Sequence, residues 1–407
     1  MRLQKSLFVI GLMCTVGAMN QANAAGFYIQ EQSVKGQGAA FAGAAANPAD
    51  AAVIFNNPAA MTALSGPQVV AGGAVIIPKS SLTNQGSTAT GNNGGNPFDP
   101  ALVPSLYVAY PFSGGTFWAG LAVTAPFGLA NEYDSGWFGR YNSTENMLRT
   151  MDIAPSFAVK LTDKVSLGGG IDFQLANAKL DQAVFTGGPD ALAEVKGDSW
   201  KTGFNLGVFW EPDAATRLGL HYRSAITQNI EGHLVVTGIV PVTPATAKLK
   251  LPEVVEFGIT HDFSPQLKVM GSFNWFGWDN FNEIRVQSSL PDNVTAQNWR
   301  NTYAVALGAE WKQDEKWTYR GGVQFDQTPT GALRDTRVPD SNRFWLSLGG
   351  SYVFNSRFSI DAAASHIFMS DTDLSVTNQF GVGPIMTTSA SVENQVDIIS
   401  LQGVLKF

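Results

Sequence analysis

The side chains that could carry catalytic or metal chemistry are few and scattered in this sequence. The four histidines are His221, His233, His261 and His366, and none of them falls in an HxH or HExxH pattern. Those spacings bring two imidazoles to one metal ion, so we expect no metal site and no cofactor. A serine nucleophile needs a histidine base that is itself oriented by an acid or an amide. The sequence gives no specific sign of such a group, and we expect no catalytic residue.

Most of the chain consists of short runs in which apolar and polar residues alternate. The clearest runs are 165–175, 302–311, 317–326 and 344–354. Strict alternation over 9–11 residues is typical of a tilted strand that crosses a membrane, with every second side chain in lipid. After residue 24 there is no uncharged apolar run of about 18 residues, which argues against membrane-spanning helices.

The number of these runs predicts the architecture. We expect fourteen strands, near 67–79, 102–112, 115–126, 147–161, 164–180, 197–211, 215–232, 248–263, 266–286, 298–313, 315–327, 341–355, 357–375 and 392–407. Tight turns alternate with longer connections, as periplasmic turns and extracellular loops do in outer-membrane barrels. The sequence therefore predicts an all-β fold, a 14-stranded antiparallel transmembrane β-barrel over residues 66–407.

Both ends of the chain favour export to the bacterial outer membrane. Residues 1–24 are typical of a cleaved signal peptide, with Arg2 and Lys5 before an apolar stretch and Ala22-Asn23-Ala24 as the cleavage site. The last strand ends on Phe407, and a terminal aromatic residue is the usual assembly signal of bacterial barrels. We expect a multi-pass protein that contacts outer-membrane lipid and lipopolysaccharide and depends on the barrel assembly machinery. The net charge of −7 argues against a nucleic-acid partner.

Residues 25–65 differ in composition from the rest of the chain. They are rich in Ala, Gly and Asn, and Asn47-Pro48 and Asn57-Pro58 interrupt them, which predicts two or three short helical turns. A barrel of about 14 strands is too wide for its own side chains to fill, since about 8 strands is the limit. We therefore expect this segment to be a small helical hatch, or plug, in the lumen. A solvated tail is the alternative, which the apolar content disfavours.

The same segment resembles the hatch of FadL-type outer-membrane transporters. The resemblance rests on Ala25-Gly26-Phe27-Tyr28, on Gly36-x-Gly38-x-Ala-Phe41-Ala42-Gly43 and on Asn57-Pro58-Ala59-Ala60-Met61, together with Thr124-Ala125-Pro126-Phe127-Gly128-Leu129 and Trp137-x-Gly139-Arg140-Tyr141. It implies a 14-stranded barrel with an N-terminal hatch, whose motif here is Phe27, Asn57, Pro58 and Ala59. It also implies passive, ligand-gated uptake of long-chain fatty acids or, in some members, of monoaromatic hydrocarbons.

The third predicted strand contains a proline and a glycine that a closed barrel wall tolerates poorly. Pro126 removes a ladder donor and Gly128 weakens the strand further. The resemblance implies that Pro126, Phe127 and Gly128 form an inward kink, which is a lateral window for apolar ligands. The alternative is that the strand ends at Ala125 and a loop begins at Pro126.

Apolar residues also cluster in the long connections. Leu129, Trp137, Phe138 and Phe185 favour a ligand-capture surface at the mouth, and self-packing of a long loop is the alternative. A further set of charges has lumen parity and should form structural pairs: Asp152, Lys160, Asp172, Arg217, Arg223, Glu256, Arg320, Asp326 and Asp361. The sequence does not choose among Arg149, Lys160, Arg223 and Arg320 as a partner for a ligand carboxylate.

The combined prediction is a transporter rather than an enzyme. We expect uptake of long-chain fatty acids or similar hydrophobic compounds without ATP. A channel for aromatic hydrocarbons, a barrel hydrolase, and an adhesin or structural protein are the alternatives. A pocket lined by Phe, Leu and Val accepts alkyl and aromatic guests alike, so the ligand itself is not specified.

Overall fold

A computed structural model describes residues 26–331, 334–381 and 383–407. The predicted signal peptide and Ala25 lie outside the described residues. Among the helices within those ranges, none is long and apolar enough to cross a membrane.

Twenty strand segments form one antiparallel sheet. Their bounds are β1 Gln68–Asn84, β2 Ala101–Phe112, β3 Phe117–Thr124, β4 Gly128–Glu132, β5 Glu145–Lys160, β6 Val165–Val184, β7 Ala191–Trp210, β8 Thr216–Arg223, β9 Ile226–Val236, β10 Val240–Leu251, β11 Val254–Asp262, β12 Leu267–Phe276, β13 Glu283–Gln287, β14 Asn293–Ala296, β15 Thr302–Lys312, β16 Trp317–Asp326, β17 Arg343–Asn355, β18 Phe358–Met369, β19 Thr372–Asn378 and β20 Met386–Lys406.

These twenty segments make up fourteen wall strands, because six of the wall strands are interrupted once and so consist of two segments. The sheet closes when β20 pairs with β1 from Gln68↔Lys406 to Asn84↔Ala390. The predicted 14-stranded antiparallel barrel is therefore confirmed. Every second side chain points outward and is apolar in the middle of the wall, as Leu307, Leu348 and Ile399 show by their high exposure. This is the pattern of a sheet whose outer face meets lipid.

Several wall strands extend further than the sequence predicts at the end that carries the long loops. β1 continues to Asn84 rather than 79, β7 begins at Ala191 rather than 197, and β20 begins at Met386 rather than 392. The alternating pattern reports contact with lipid, and it fades where both faces of a strand meet water. The backbone ladder continues past that point, so the pattern underestimates strand length.

Residues 26–65 lie in the lumen as the hatch. They contain α1 Val34–Gly38, α2 Val53–Asn56 and two 3₁₀ turns, Ala44–Ala46 and Pro58–Ala63, which is more helical turns than predicted. Two further 3₁₀ turns, Ser113–Gly115 and Trp278–Asn280, belong to the barrel. Pro58 starts its turn and Asn57 caps it, with the Asn57 side chain accepting a hydrogen bond from the Ala59 N–H.

The hatch touches the wall where both surfaces are small. A Cβ added to Gly322 would lie 2.2 Å from the carbonyl oxygen of Ala39, and one added to Gly219 would lie 1.9 Å from that of Ala45. The wall glycines therefore admit the hatch backbone directly. The Ala-rich composition of the segment is what allows it to fit inside the barrel.

Candidate functional site

The barrel wall opens where its third strand leaves its neighbour. β2 pairs with β3 from Leu106↔Val123 to Phe112↔Phe117. Residues 101–105 of β2 pair with β1 on one side, and no described residue pairs with them on the other side. β3 pairs with β5 up to Thr124↔Asp152, and β4 resumes at Gly128↔Arg149 with one extra residue. Residues 125–127 form a β-bulge that leaves the wall toward the lumen. We call the resulting opening between residues 101–105 of β2 and residues 125–131 the wall gap.

Hatch residues take the place of β2 as the partner of the bulge. The Ile29 N–H donates to the Pro126 carbonyl at 2.8 Å, and the Gly128 N–H donates to the Phe27 carbonyl at 2.9 Å. Tyr28 and Phe127 form an isolated antiparallel bridge. Proline has no backbone N–H. Pro126 can therefore lie away from β2 without leaving a donor unpaired.

Gln32 completes this replacement with its side chain. Its Nε2 donates to the Ala125 carbonyl at 2.9 Å, and its Oε1 accepts from the Ala125 N–H at 3.2 Å. The Gln32 carbonyl in turn accepts from the Tyr107 hydroxyl at 2.6 Å. Because a buried peptide needs both of its hydrogen bonds, this amide holds the bulge against the hatch.

An aromatic cluster covers the hatch on the side of the long loops. Phe27 lies 4.8 Å from Trp278, 5.6 Å from Phe281 and 5.4 Å from Trp299 between ring centroids. Its ring also lies 6.2 Å from that of Phe127 in the bulge. Phe27 therefore contacts both the barrel interior and the margin of the wall gap.

An apolar pocket lies directly above this cluster. It is lined mainly by Phe27, Leu129, Leu148, Ile230 and Phe281. Leu180, Ile284 and Arg337 also line a second space. That second space shares Val195, Val286, Asn293 and Phe380 with a third space near the loops. The three spaces adjoin one another between the loop end and Phe27, and we call them together the apolar path.

One buried cation, Arg337, lies at the first pocket. Arg337 is buried and paired, with Asp335 at 2.9 Å and the Asn142 carbonyl at 2.6 Å. Lys248 borders the same pocket between Ala247 and Leu249, but its side chain has outward parity in β10 and is exposed. Its ammonium therefore lies outside the lumen. Sequence reasoning missed Arg337, which lies in a long connection outside the predicted strands.

The predicted window and hatch residues come together. Phe27, Pro126, Phe127 and Gly128 meet at the bulge, where β3 ends at Thr124 but the wall resumes as β4. Pro126 therefore does not simply begin a loop. Asn57 is buried and donates to the Ala45 carbonyl at 2.8 Å and to the Val208 carbonyl at 3.0 Å, which fixes the turn of Pro58 and Ala59 to the wall.

The predicted capture residues separate. Leu129 lines the apolar pocket. Trp137 and Phe138 are fully buried in a cluster with Leu82, Leu374 and Val392, and Trp137 stacks on Tyr133 at 3.8 Å. For these two residues the structure shows internal packing of the loop. Phe185 is 46% exposed at the loop end and adjoins a shallow hollow with Phe380.

The inward charges form pairs below the pocket. Arg223 contacts Asp172 at 3.0 Å and Asp152 at 3.2 Å, and it also donates to the Phe55 carbonyl of the hatch. Arg320 contacts Glu310 at 2.7 Å. Both arginines are thereby removed as candidates for a free ligand carboxylate. Within the described ranges, no three His, Cys, Asp or Glu side chains converge in a way that could hold a metal ion.

One hatch carboxylate, Glu31, is buried without an ion pair to a described residue. Glu31 is almost fully buried, and burial raises its pKa to about 7 in spite of the field of Arg343. Its protonation state therefore changes near neutral pH.

Comparison with known proteins gives consistent matches along the chain. The sequence profile of the family described as outer membrane protein transport protein (OMPP1/FadL/TodX) matches residues 15–407. A long-chain fatty acid transport protein of Escherichia coli strain CFT073 is 30% identical over 410 residues, covering 89% of this chain and 92% of that protein. The crystal structure of a Pseudomonas aeruginosa FadL homologue has a TM-score of 0.87 and 26% identity, covering 94% of this chain and all of the other. The Pseudomonas putida toluene transporter TodX, at 15% identity and a TM-score of 0.71 over 94% of this chain and all of the other, shares the fold.

Proposed function

The chain belongs to the outer membrane protein transport family (OMPP1/FadL/TodX), and we propose that it takes up long-chain fatty acids by passive diffusion. The single observation that carries this proposal is the apolar path, which leads from the loop end to Phe27 beside the wall gap. The similarity to the fatty acid transport protein of E. coli supports the same ligand class.

The pocket suits an alkyl chain energetically. Each methylene removed from water contributes about 0.8 kcal/mol, and the lining at Leu129, Leu148 and Ile230 offers apolar contacts to a long chain. We place the ligand carboxylate near Arg337, the cation whose side chain is buried at this pocket. Arg337 is also paired with Asp335, so the ligand would share its guanidinium with that carboxylate.

The hatch, proposed as residues 25–65, closes the lumen below the pocket. Phe27 forms part of the pocket floor and contacts Phe127 at the wall gap. A shift of the Phe27 segment would both break the floor and connect the pocket with the gap. We therefore place the exit at Pro126, Phe127 and Gly128, so that the ligand leaves sideways into the membrane. We assign ligand capture to the apolar residues of the loop end, including Leu129, Phe185 and Phe380.

Aromatic hydrocarbons are the second candidate ligand. The observation that favours them is the aromatic cluster of Phe27, Trp278, Phe281 and Trp299, whose edge-to-face contacts could be extended by a benzene-sized guest. A hydrolase function has no support in the arrangement of the described side chains. Contact with lipopolysaccharide and recognition by the barrel assembly machinery are proposed from the outer-membrane location.

Binding and uptake measurements test the ligand class. Purified protein should bind oleate more tightly than toluene, and cells that lack other transporters of this kind should accumulate labelled oleate when they express it. Leu148→Trp fills part of the first pocket and should reduce both. Leu121→Trp, which changes an outward residue, is the control. Preferential binding of toluene, or oleate uptake that Leu148→Trp leaves unchanged, would reject the proposal.

A further inference from the structure

Arg149 lies on the outer face of the wall at the margin of the wall gap. Its neighbours Leu148 and Thr150 point inward and are buried, whereas Met151, on the same side as Arg149, is 40% exposed. In the β4–β5 ladder Arg149 is opposite Gly128, the first wall residue after the bulge. The guanidinium therefore stands outside the barrel, next to the place where the wall is open.

Arg149 interacts with Glu145, four residues earlier on the same face of β5, only through the longer-range attraction of their charges. It makes no hydrogen bond or ion pair with any described residue, and its Nε is buried without an acceptor. Its cross-strand neighbour on the far side from the gap is Asn177 of β6, which in turn lies opposite Asp198 of β7. Asp198 is the first acidic residue in this row of cross-strand neighbours, and it is two strands away from Arg149. The contrast with Lys179 in the next row is clear, since Lys179 contacts Glu145 at 2.6 Å and Asp181 at 3.1 Å.

The height of Arg149 matches the boundary between lipid and water. The outward row above it holds Lys179 and Lys196 beside Met147, and the next holds Asp181 and Glu194. The row below it holds Met151 and Trp200, which are exposed and apolar, and is followed by Phe173. Tryptophan at such a level is typical of the interface belt of a membrane protein. A ligand that leaves through the gap thus has its alkyl chain beside lipid and its polar end beside Arg149.

We propose that Arg149 binds the carboxylate of the alkyl ligand at the outer mouth of the wall gap, and so favours carboxylates over uncharged compounds during release. The inference rests on the proposed function, since it requires a fatty acid as the transported compound. A carboxylate that leaves the pocket loses its contact with Arg337, and a charge without a partner or water is costly at the edge of the apolar layer. A bidentate guanidinium contact offsets that loss at the point of exit.

A phosphate of an outer-membrane lipid presents the same anionic oxygens as the ligand carboxylate. The two sources differ in their consequence for transport. A contact with the transported carboxylate affects only charged ligands, whereas a contact with a lipid phosphate affects the gap for every ligand equally.

The test compares uptake of labelled oleate with uptake of labelled oleyl alcohol, which has the same chain without the charge. Arg149→Met keeps much of the side-chain length and removes the charge, and Arg149→Lys keeps the charge. Lys196→Met, an exposed outward residue in the next row and away from the gap, is the matched control. Heat-modifiable mobility on gels reports whether each variant is a folded barrel.

We expect Arg149→Met to lower the initial rate of oleate uptake about tenfold, in the range of a lost hydrogen bond between charged groups. Oleyl alcohol uptake should stay within about twofold of the parent protein, Arg149→Lys should recover most of the oleate rate, and Lys196→Met should have no effect. Equal losses for both ligands, which would indicate a lipid phosphate or a structural role, overturn the inference, as does an unchanged oleate rate in a folded Arg149→Met protein. A parent protein that transports no oleate would reject the proposed function, and the inference with it.

Discussion

Replacing Gln32 with Leu should close the exit while leaving the pocket intact. Gln32 bonds both the N–H and the carbonyl of Ala125, at 3.2 and 2.9 Å, in a site where its own side chain is almost fully buried. A leucine leaves the N–H and the carbonyl of Ala125 without a partner, and each buried unpaired group costs about 1–3 kcal/mol. The inward bulge therefore loses about 2–6 kcal/mol relative to a conformation in which residues 125–127 turn to β2.

The expected effect on transport follows from that magnitude. A change of about 1.4 kcal/mol alters a ratio of populations tenfold, so the loss is large enough to make the inward bulge a minor conformation. We expect the initial rate of labelled oleate uptake to fall about tenfold, while the affinity of the detergent-solubilised protein for oleate changes little. The pocket lining does not include Gln32 or Ala125.

A second hatch glutamine supplies the matched control. Gln37 is equally buried, donates to Ser365 at 3.1 Å and accepts from the Ser400 hydroxyl, so it ties the hatch to β18 and β20 rather than to the bulge. Gln37→Leu should weaken the hatch to a similar degree without changing uptake. The reasoning is refuted if folded Gln32→Leu protein transports oleate at the parent rate, or if Gln37→Leu slows transport as much as Gln32→Leu.

Three further changes have defined outcomes. Gly322→Ala places a Cβ 2.2 Å from the Ala39 carbonyl oxygen and should destabilise the hatch by about 1–3 kcal/mol and raise the conductance in planar bilayers, whereas Gly321→Ala, whose nearest neighbour is 3.5 Å away, should not. Burial raises the pKa of Glu31 from 4.5 to about 7. Between these pH values the folded hatch holds a proton that the unfolded chain has released. The stability of the hatch should therefore fall as pH rises from about 4.5 to 7 and should level off above pH 7. Glu31→Gln should abolish that dependence in hydrogen exchange of the hatch amides. Phe407→Ser removes the exposed end of the last lipid-facing row and should lower the amount of heat-modifiable barrel in the outer membrane, and parent levels would count against an assembly role for this residue.

Local sequence patterns predicted the barrel, and the resemblance to FadL-type transporters implied the kink at residues that leave a local trace. Alternation records which face of a strand meets lipid, and Pro126 and Gly128 are residues that an uninterrupted wall strand avoids. The partner of the bulge left no such trace. Gln32 and Ala125 are 93 positions apart in the sequence, and nothing near either residue indicates the contact.

The capture residues show a different limit. Trp137 and Phe138 have the composition of an exposed apolar loop, but they pack against the extended ends of β1, β19 and β20. Leu82 lies beyond the predicted end of its strand, and Leu374 and Val392 lie at the margins of theirs, so the surface that buries the two aromatic rings was not predicted.

The central claim is that the ligand leaves through the wall gap, and one uptake measurement tests it most directly. In the double variant Pro126→Val and Gly128→Arg, a restored backbone donor and a long side chain at the bulge should close the gap. Gly188→Arg, which adds the same charge in an exposed loop, is the control. The account predicts parent-like oleate binding by the purified double variant, near-background uptake of labelled oleate by cells that express it, and parent-like uptake with Gly188→Arg. Uptake at the parent rate by a folded double variant would contradict lateral exit and would favour release past the hatch into the periplasm.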